Sequence, residues 1–176
     1  MEPSNYLAVT AIGTDRTGIV SQLTKVVSEC NCNIVDSRMA IFGNEFTFIM
    51  LLSGDNNAIT LVEHQLPTIS YELELLTMTK RTSKHVEQVL NHRMELTYEG
   101  PDSPGTLSKI TTFLAENSIG ISSLKTSSEE SGQQTWIKSS IELRLPEGID
   151  IANTKDSIVE FCAQCGLSAQ LIDIHQ

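Results

Sequence analysis

The chain has 176 residues, 40% of them apolar and 19% charged, with a formal net charge of -10. That length supports one good core or two small ones, and the composition is that of a folded protein rather than a disordered one. Residues 1–79 hold 9 acids against 3 bases and residues 93–176 hold 12 against 6, so both halves would be repelled by a nucleic-acid duplex. The short basic stretch between them, with Lys80, Arg81 and Lys84, reads as a solvated connector. No apolar run approaches the roughly 20 residues of a membrane span. Glu2 stands where a signal peptide would carry bases, so a cytoplasmic protein is expected.

In chain order, Leu7, Val9 and Ala11 alternate and predict a half-buried strand over Tyr6–Ile12. A loop framed by Gly13 and Gly18 follows. Ile19, Val20, Leu23, Val26, Val27 and Cys30 then recur at helical spacing and predict a helix with one apolar stripe. Two β-rich runs flank Gly43-Asn44, a pair suited to a hairpin turn. Asp55 or Asn56 can cap a second helix that turns Ile59, Val62 and Leu66 inward and is stopped by Pro67. Tyr71, Leu73 and Leu75 alternate with Glu72 and Glu74 and predict a closing strand.

The order then repeats. Gly13, Asp15 and Gly18 recur as Gly100, Asp102 and Gly105, each 87 positions on. The same shift carries Leu7, Val9 and Ala11 onto Met94, Leu96 and Tyr98, and Leu23 and Val26 onto Ile110 and Phe113. Internal self-similarity at a fixed period marks a duplicated unit. The second copy has a longer polar turn, "SSEESGQQ", and closes on Leu167, Ala169 and Leu171 at a shift of 96. The predicted fold is α+β: two ferredoxin-like βαββαβ domains, each with two helices on one face of a four-stranded antiparallel sheet. The domains fall at residues 1–79 and 93–176. Residues 80–92 link them, with Val86, Val89 and Leu90 hinting at a short helix.

The glycine-framed loops open onto helix N-termini, where free N–H groups and the positive end of the dipole face outward. Such a place suits a carboxylate. Asp15 could accept from an ammonium group and Arg16 could clamp a carboxylate, so a free amino acid fits the chemistry. The competing reading is structural: Gly18 and Gly105 would admit close packing of helix on sheet, and Asp15 and Asp102 would cap the helices. A phosphate loop is excluded by the missing Gly-Lys-Ser/Thr ending and the wrong glycine spacing. An acylphosphatase-like site would need an arginine in the loop, which Arg16 could supply in the first copy, but the second has Ser103 in that place. His64, His85, His92 and His175 lack a nucleophile partner, so no catalytic residue is assigned. Cys162 and Cys165 share a stripe with Ile158 and Val159, and Cys30 continues an apolar face. These thiols read as small core residues, and no metal or cofactor is expected.

The strand–Gly-x-Asp-Arg-x-Gly-Ile–helix pattern, followed by Asn33-Ile34 opening the next strand, resembles an ACT domain, and the resemblance covers both halves. It implies a non-enzymatic regulator whose amino-acid ligand is held where two domains meet. The lining positions it implies are Gly13, Thr14, Asp15, Arg16, Thr17, Gly18, Asn33 and Ile34. In the second copy they are Gly100, Asp102, Ser103, Gly105, Gly120 and Ile121. There Pro101 and Pro104 remove donors and the arginine is missing, which leaves open one competent site beside a degenerate one. Tandem ACT regulators of this kind imply glycine-responsive negative control of the glycine cleavage genes, exerted through a transcription activator rather than on DNA. The alternative is a regulatory subunit acting in trans on a biosynthetic enzyme. Exposed edge strands favour side-by-side pairing, so a homo-oligomer is also expected.

Overall fold

The computed structural model describes residues 5–83, 92–132 and 134–174. The chain divides into two compact units, Met1–Val86 and Glu87–Gln176. The first contains β1 (Asn5–Thr14), α1 (Ile19–Glu29), β2 (Asn33–Phe42), β3 (Glu45–Gly54), α2 (Asn56–Glu72) and β4 (Leu76–Thr82). The second contains β5 (Arg93–Pro101), α3 (Thr106–Glu116), β6 (Gly120–Ser131), β7 (Gln134–Arg144), α4 (Ile151–Gln164) and β8 (Ser168–Asp173). Each unit is one antiparallel four-stranded sheet, in the order β2-β3-β1-β4 and β6-β7-β5-β8. The α+β, twice-repeated βαββαβ fold read from the sequence is the fold observed.

Alternation on the strands places the cores. Leu7, Val9 and Ala11 of β1, and Met94, Leu96 and Tyr98 of β5, are all buried beneath the helices. From α1 the stripe Ile19, Leu23, Val26, Val27 and Cys30 closes on the first sheet, as its spacing predicts. Leu23 and Ile110, 87 positions apart, lie at the centres of the two cores, where truncation to alanine costs about 2–5 kcal/mol. Phe113 of α3 stacks on Phe161 of α4 with ring centroids 4.1 Å apart. The repeat extends to irregularities. Asn31 and Ser118 both have φ 58, and β2 and β6 each bulge at the same place, between Ile34 and Asp36 and between Ile121 and Ser123.

Several expectations change. Pro67 does not stop α2, which runs on to Glu72. Leu66, Ile69, Ser70 and Leu73 keep the core-facing spacing past the proline, and this packing outweighs the one helical hydrogen bond that Pro67 cannot make. The closing strand of the first domain is therefore Leu76–Thr82, not Tyr71–Leu75. Thr77 and Ala169 lie opposite Ala11 and Tyr98, so the closing strands correspond at a shift of 92 rather than 96. Lys80 and Arg81 belong to this strand and not to a connector. The polar stretch "SSEESGQQ" is mostly strand: β6 and β7 stay paired up to Ser131 and Gln134, and the turn is at Gly132. The hint of a helix at Val86, Val89 and Leu90 lies outside the described residues.

Candidate functional site

Each loop is built from three neighbouring segments. The strand before it ends at Thr14 or Pro101, the facing hairpin reaches across to it, and the C-terminal turn of α2 or α4 lies beneath. Backbone bonds fix the first contact: Asp15 N–H donates to Asn44 O at 3.2 Å, and Asp102 N–H to Thr135 O at 2.8 Å. Close approach fixes the second. A Cβ on Gly13 would lie 2.7 Å from Leu75 Cδ2 and 3.0 Å from Glu74 O. On Gly100 it would lie 2.9 Å from both Gly166 O and Leu167 Cδ2. These two glycines let the strand end press on the turn beneath.

Gly18 and Gly105 do something else. They are the N-caps of α1 and α3, at φ 94 and 90, with open space where a Cβ would stand. A left-handed backbone, not close packing, requires them. Neither aspartate caps a helix, in contrast to the structural reading of the sequence. The Asp15 side chain is exposed and makes no hydrogen bond or ion pair among the described residues, while Asp102 Oδ2 accepts from Ser128 Oγ at 3.0 Å. Caps of that kind occur instead at Asp55 and Asp150, which accept from Ala58 N–H at 2.7 Å and Asn153 N–H at 3.1 Å.

Amides remain available at both helix starts. Ile19 N–H donates to Arg16 O and Gln22 N–H to Gly18 O, which leaves Val20 and Ser21 N–H without a helical acceptor. The second domain matches, with Thr106 N–H on Ser103 O, Lys109 N–H on Gly105 O, and Leu107 and Ser108 left over. Arg16 is turned away from these amides. Its guanidinium donates to Leu73 O and lies 3.7 Å from the Glu74 carboxylate, where it caps the end of α2. Ser103, at the corresponding position, shares a 2.9 Å hydrogen bond with Thr106 Oγ1. Around this second loop lies an open cleft of ≈ 570 Å³, lined among others by Asp102, Ser103, Ser108, Thr135 and Ile137.

Asn33 and Ile34 are not brought to the loop of their own domain. On β3, Asn33 is opposite Ser53 and Gly13 is opposite Phe46. Seven residues of strand separate these, about 23 Å at strand rise. Gly120 and Gly100 stand equally far apart along β7, opposite Arg144 and Ile137. Thr14 ends β1 beside Gly13, and Thr17 is exposed in the loop; Ile34 and Ile121 pack on the cores. The sequence reading missed Glu74, Asn44 and Thr135. The first needed the true length of α2, whereas the other two follow from the position of the hairpins.

No catalytic arrangement emerges among the described residues. Among the described residues no three His, Cys, Asp or Glu side chains cluster as metal ligands. Burial raises the Cys162 thiol to about 11, with Cys165 adding to it, and burial likewise pushes Cys30 and Cys32 upward, which disfavours thiolate chemistry. No described helix is long and apolar enough to cross a membrane.

Two ferredoxin-like units, each with a glycine-framed loop at its first helix, define an ACT-domain pair. An ACT-domain model matches residues 5–80. The glycine cleavage system transcriptional repressor of Escherichia coli (strain K12) is 37% identical over 172 residues, 97% of this chain and 90% of that one. The chain belongs to the ACT-domain family, within the group typified by that repressor. A crystal structure of a candidate glycine cleavage system transcriptional repressor is 36% identical and superposes at a TM-score of 0.76, covering 98% of this chain and 99% of the other. A protein of Galdieria sulphuraria at 23% identity and a TM-score of 0.75 shares the fold over 98% of this chain and 100% of its own.

Proposed function

We propose that the chain is a non-enzymatic, glycine-responsive negative regulator of glycine cleavage gene transcription, working through a transcription activator and not on DNA. The observation that carries this reading is the near full-length identity to the E. coli repressor. The net charge of -10 supports the indirect route, because a chain so acidic gains nothing from DNA phosphates. In this reading the free amides of a loop, Val20 and Ser21 or Leu107 and Ser108, receive the carboxylate of the amino acid, and Asp15, without a partner among the described residues, takes the ammonium. Arg16 holds the loop from beneath.

Glycine has five heavy atoms, and a ceiling of about 1.5 kcal/mol per atom limits its binding to about 7.5 kcal/mol. Affinity is then micromolar or weaker, which suits a sensor. A coupling of about 1–3 kcal/mol to the activator is enough to change its occupancy roughly five-fold or more.

Calorimetry with glycine, serine and larger amino acids tests the sensor, using wild type, Asp15→Ala and Asp102→Ala. Glycine should bind, and one of the two variants should weaken it at least five-fold. No heat with any amino acid at millimolar levels overturns the sensor reading; binding untouched by either variant overturns the placement at the loops. Copurification from extract with and without glycine tests the partner. A DNA-binding protein released or captured by glycine supports the regulator, whereas capture of a biosynthetic enzyme points to the trans-acting subunit.

A further inference from the structure

The two sheets present opposite chemistry on the faces turned away from their helices. On the first, the residues that alternate with the buried core positions are Ala8, Thr10 and Ile12 of β1, with Leu51 and Ile49 of β3 and Met78 and Leu76 of β4 alongside. Ile49 is 48%, Met78 69% and Leu76 74% exposed. Thr97 of β5 occupies the place of Thr10, and the register then sets Ser140, Gln170, Glu99 and Ser168 where the first domain has Ile49, Met78, Ile12 and Leu76. Glu95 and Glu142 replace Ala8 and Leu51 in the same way. The second domain is therefore an internal control. Its polar face shows that the fold places no apolar demand on these positions, so the apolar face of the first domain has another cause. Contiguous exposed apolar area of this kind marks an interaction site.

We propose that this open face of the first sheet is where two copies of the chain pair, face to face about a two-fold axis parallel to the strands. The charge pattern selects the occupant. One row across the four strands reads Lys80, Ala8, Leu51, Asp36. A two-fold axis along the strands lays the β4 edge of one copy over the β2 edge of the other. Lys80 of each copy then meets Asp36 of the other, and the apolar middle of the face is buried between them. Both side chains are exposed and neither has an ion-pair partner among the described residues. The next row reads Met78, Thr10, Ile49, Arg38, so the Arg38 stem covers Met78 of the other copy at the rim while its head reaches solvent; the face thus pairs apolar on apolar in the middle and Lys80 on Asp36 at the edges. Four strands and seven residues give a flat footprint of about 20 Å by 20 Å, or about 400 Å² per copy before side-chain relief. The total of about 800 Å² falls below the range of stable specific interfaces and in that of weak, transient ones, so the dimer should dissociate on dilution.

Sedimentation of the full chain over a wide concentration range tests this. The mass should rise from 19.4 kDa toward twice that value with concentration. Ile49→Asp and Met78→Asp should each hold the chain monomeric with its circular dichroism unchanged, whereas Ser140→Asp on the second sheet should leave the dimer intact. Lys80→Glu alone and Asp36→Lys alone should each weaken the dimer by about ten-fold, and the two together should recover it to within about three-fold. A monomer at every concentration assigns the face to a different protein and overturns the proposal. So does a dimer indifferent to Ile49→Asp, or a double charge exchange that does not restore pairing.

Discussion

Lys155 Nζ lies 2.7 Å from Asp173 Oδ2, at the two positions that Glu63 and Arg81 hold in the first domain with their charges exchanged. There Arg81 Nη2 is also 2.7 Å from Glu63 Oε2. Each pair is separated from its counterpart by 92 residues, the shift that relates β4 to β8. In both domains the bond ties the second helix to the closing edge strand, so the repeat retains the tie and not the side chains that make it. Arg81 adds bonds to Asn56 Oδ1 and Thr60 Oγ1, at 2.8 and 2.9 Å, which fix its guanidinium along α2.

The exchange predicts tolerance of reversal. Lys155→Glu should lower the urea midpoint of the second domain, because two carboxylates then face each other. Combining it with Asp173→Arg should recover most of the loss, since the first domain already uses that polarity. Paired midpoints from fluorescence of Trp136, which is in the second domain, give the measurement. A double variant no better than Lys155→Glu would show that the tie depends on more than charge.

The same pairs set an acid limit. Hydrogen bonding from Lys155, and next from His92 at 2.6 Å, holds the Asp173 carboxyl below its ordinary range, and the Arg81 bond does so for Glu63. A carboxylate with a lowered folded pKa contributes stability above its unfolded value and loses it as pH falls through the folded one. Both domains should therefore weaken below about pH 4, the usual onset for such groups. Denaturation midpoints at pH 7 and pH 3 check this, and Asp173→Asn should flatten the acid limb of the second domain alone.

Gly13 and Gly100 should be the least replaceable of the loop glycines. Alanine at Gly100 drives a Cβ to 2.9 Å from the backbone oxygen of Gly166, which has no freedom to yield, whereas at Gly13 the nearest atom is the end of the Leu75 side chain. The expected costs are about 3 kcal/mol at Gly100 and about 1–2 kcal/mol at Gly13. At Gly18 and Gly105 the space is open and only the left-handed backbone penalises a side chain, by about 1 kcal/mol. Chemical denaturation of the four alanine variants gives the order directly.

The fold was legible because its signals are local and doubled. Leu7, Val9 and Ala11 alternate, Leu23 and Val26 keep helical spacing, and a second copy repeats both. The closing strand of the first domain was misread because Leu73 and Leu75 alternate for a reason other than strand geometry: Glu74 between them has φ 55, and this turn drops both leucines into the core. Glycine identity marked the loops, yet the roles of Gly13 and Gly18 differ, and only contact with Leu75 or the sign of φ distinguishes them. The link from Asp15 to Asn44, and the commitment of Arg16 to Leu73, depend on chain segments distant in sequence and leave no local pattern.

Glu74 supplies the last prediction. It is one of three described non-glycine residues with positive φ, and the second domain has Gly166 at φ 78 in its place. A side chain in that region costs about 1–2 kcal/mol relative to glycine. Against this stands the Glu74–Arg16 ion pair, whose side chains are 83% and 46% exposed, so that solvent screening leaves it at most about 1 kcal/mol. The backbone term is the larger, and Glu74→Gly should stabilise the first domain by about 0.5–1 kcal/mol. The bond from Arg16 to Leu73 O does not involve the carboxylate and should survive. A denaturation midpoint that falls instead would mean that the ion pair outweighs the turn. Glu74→Gln measured beside it separates the two, because it removes the charge of the pair while leaving the bond from Arg16 to Leu73 O and a side chain at the positive φ of residue 74.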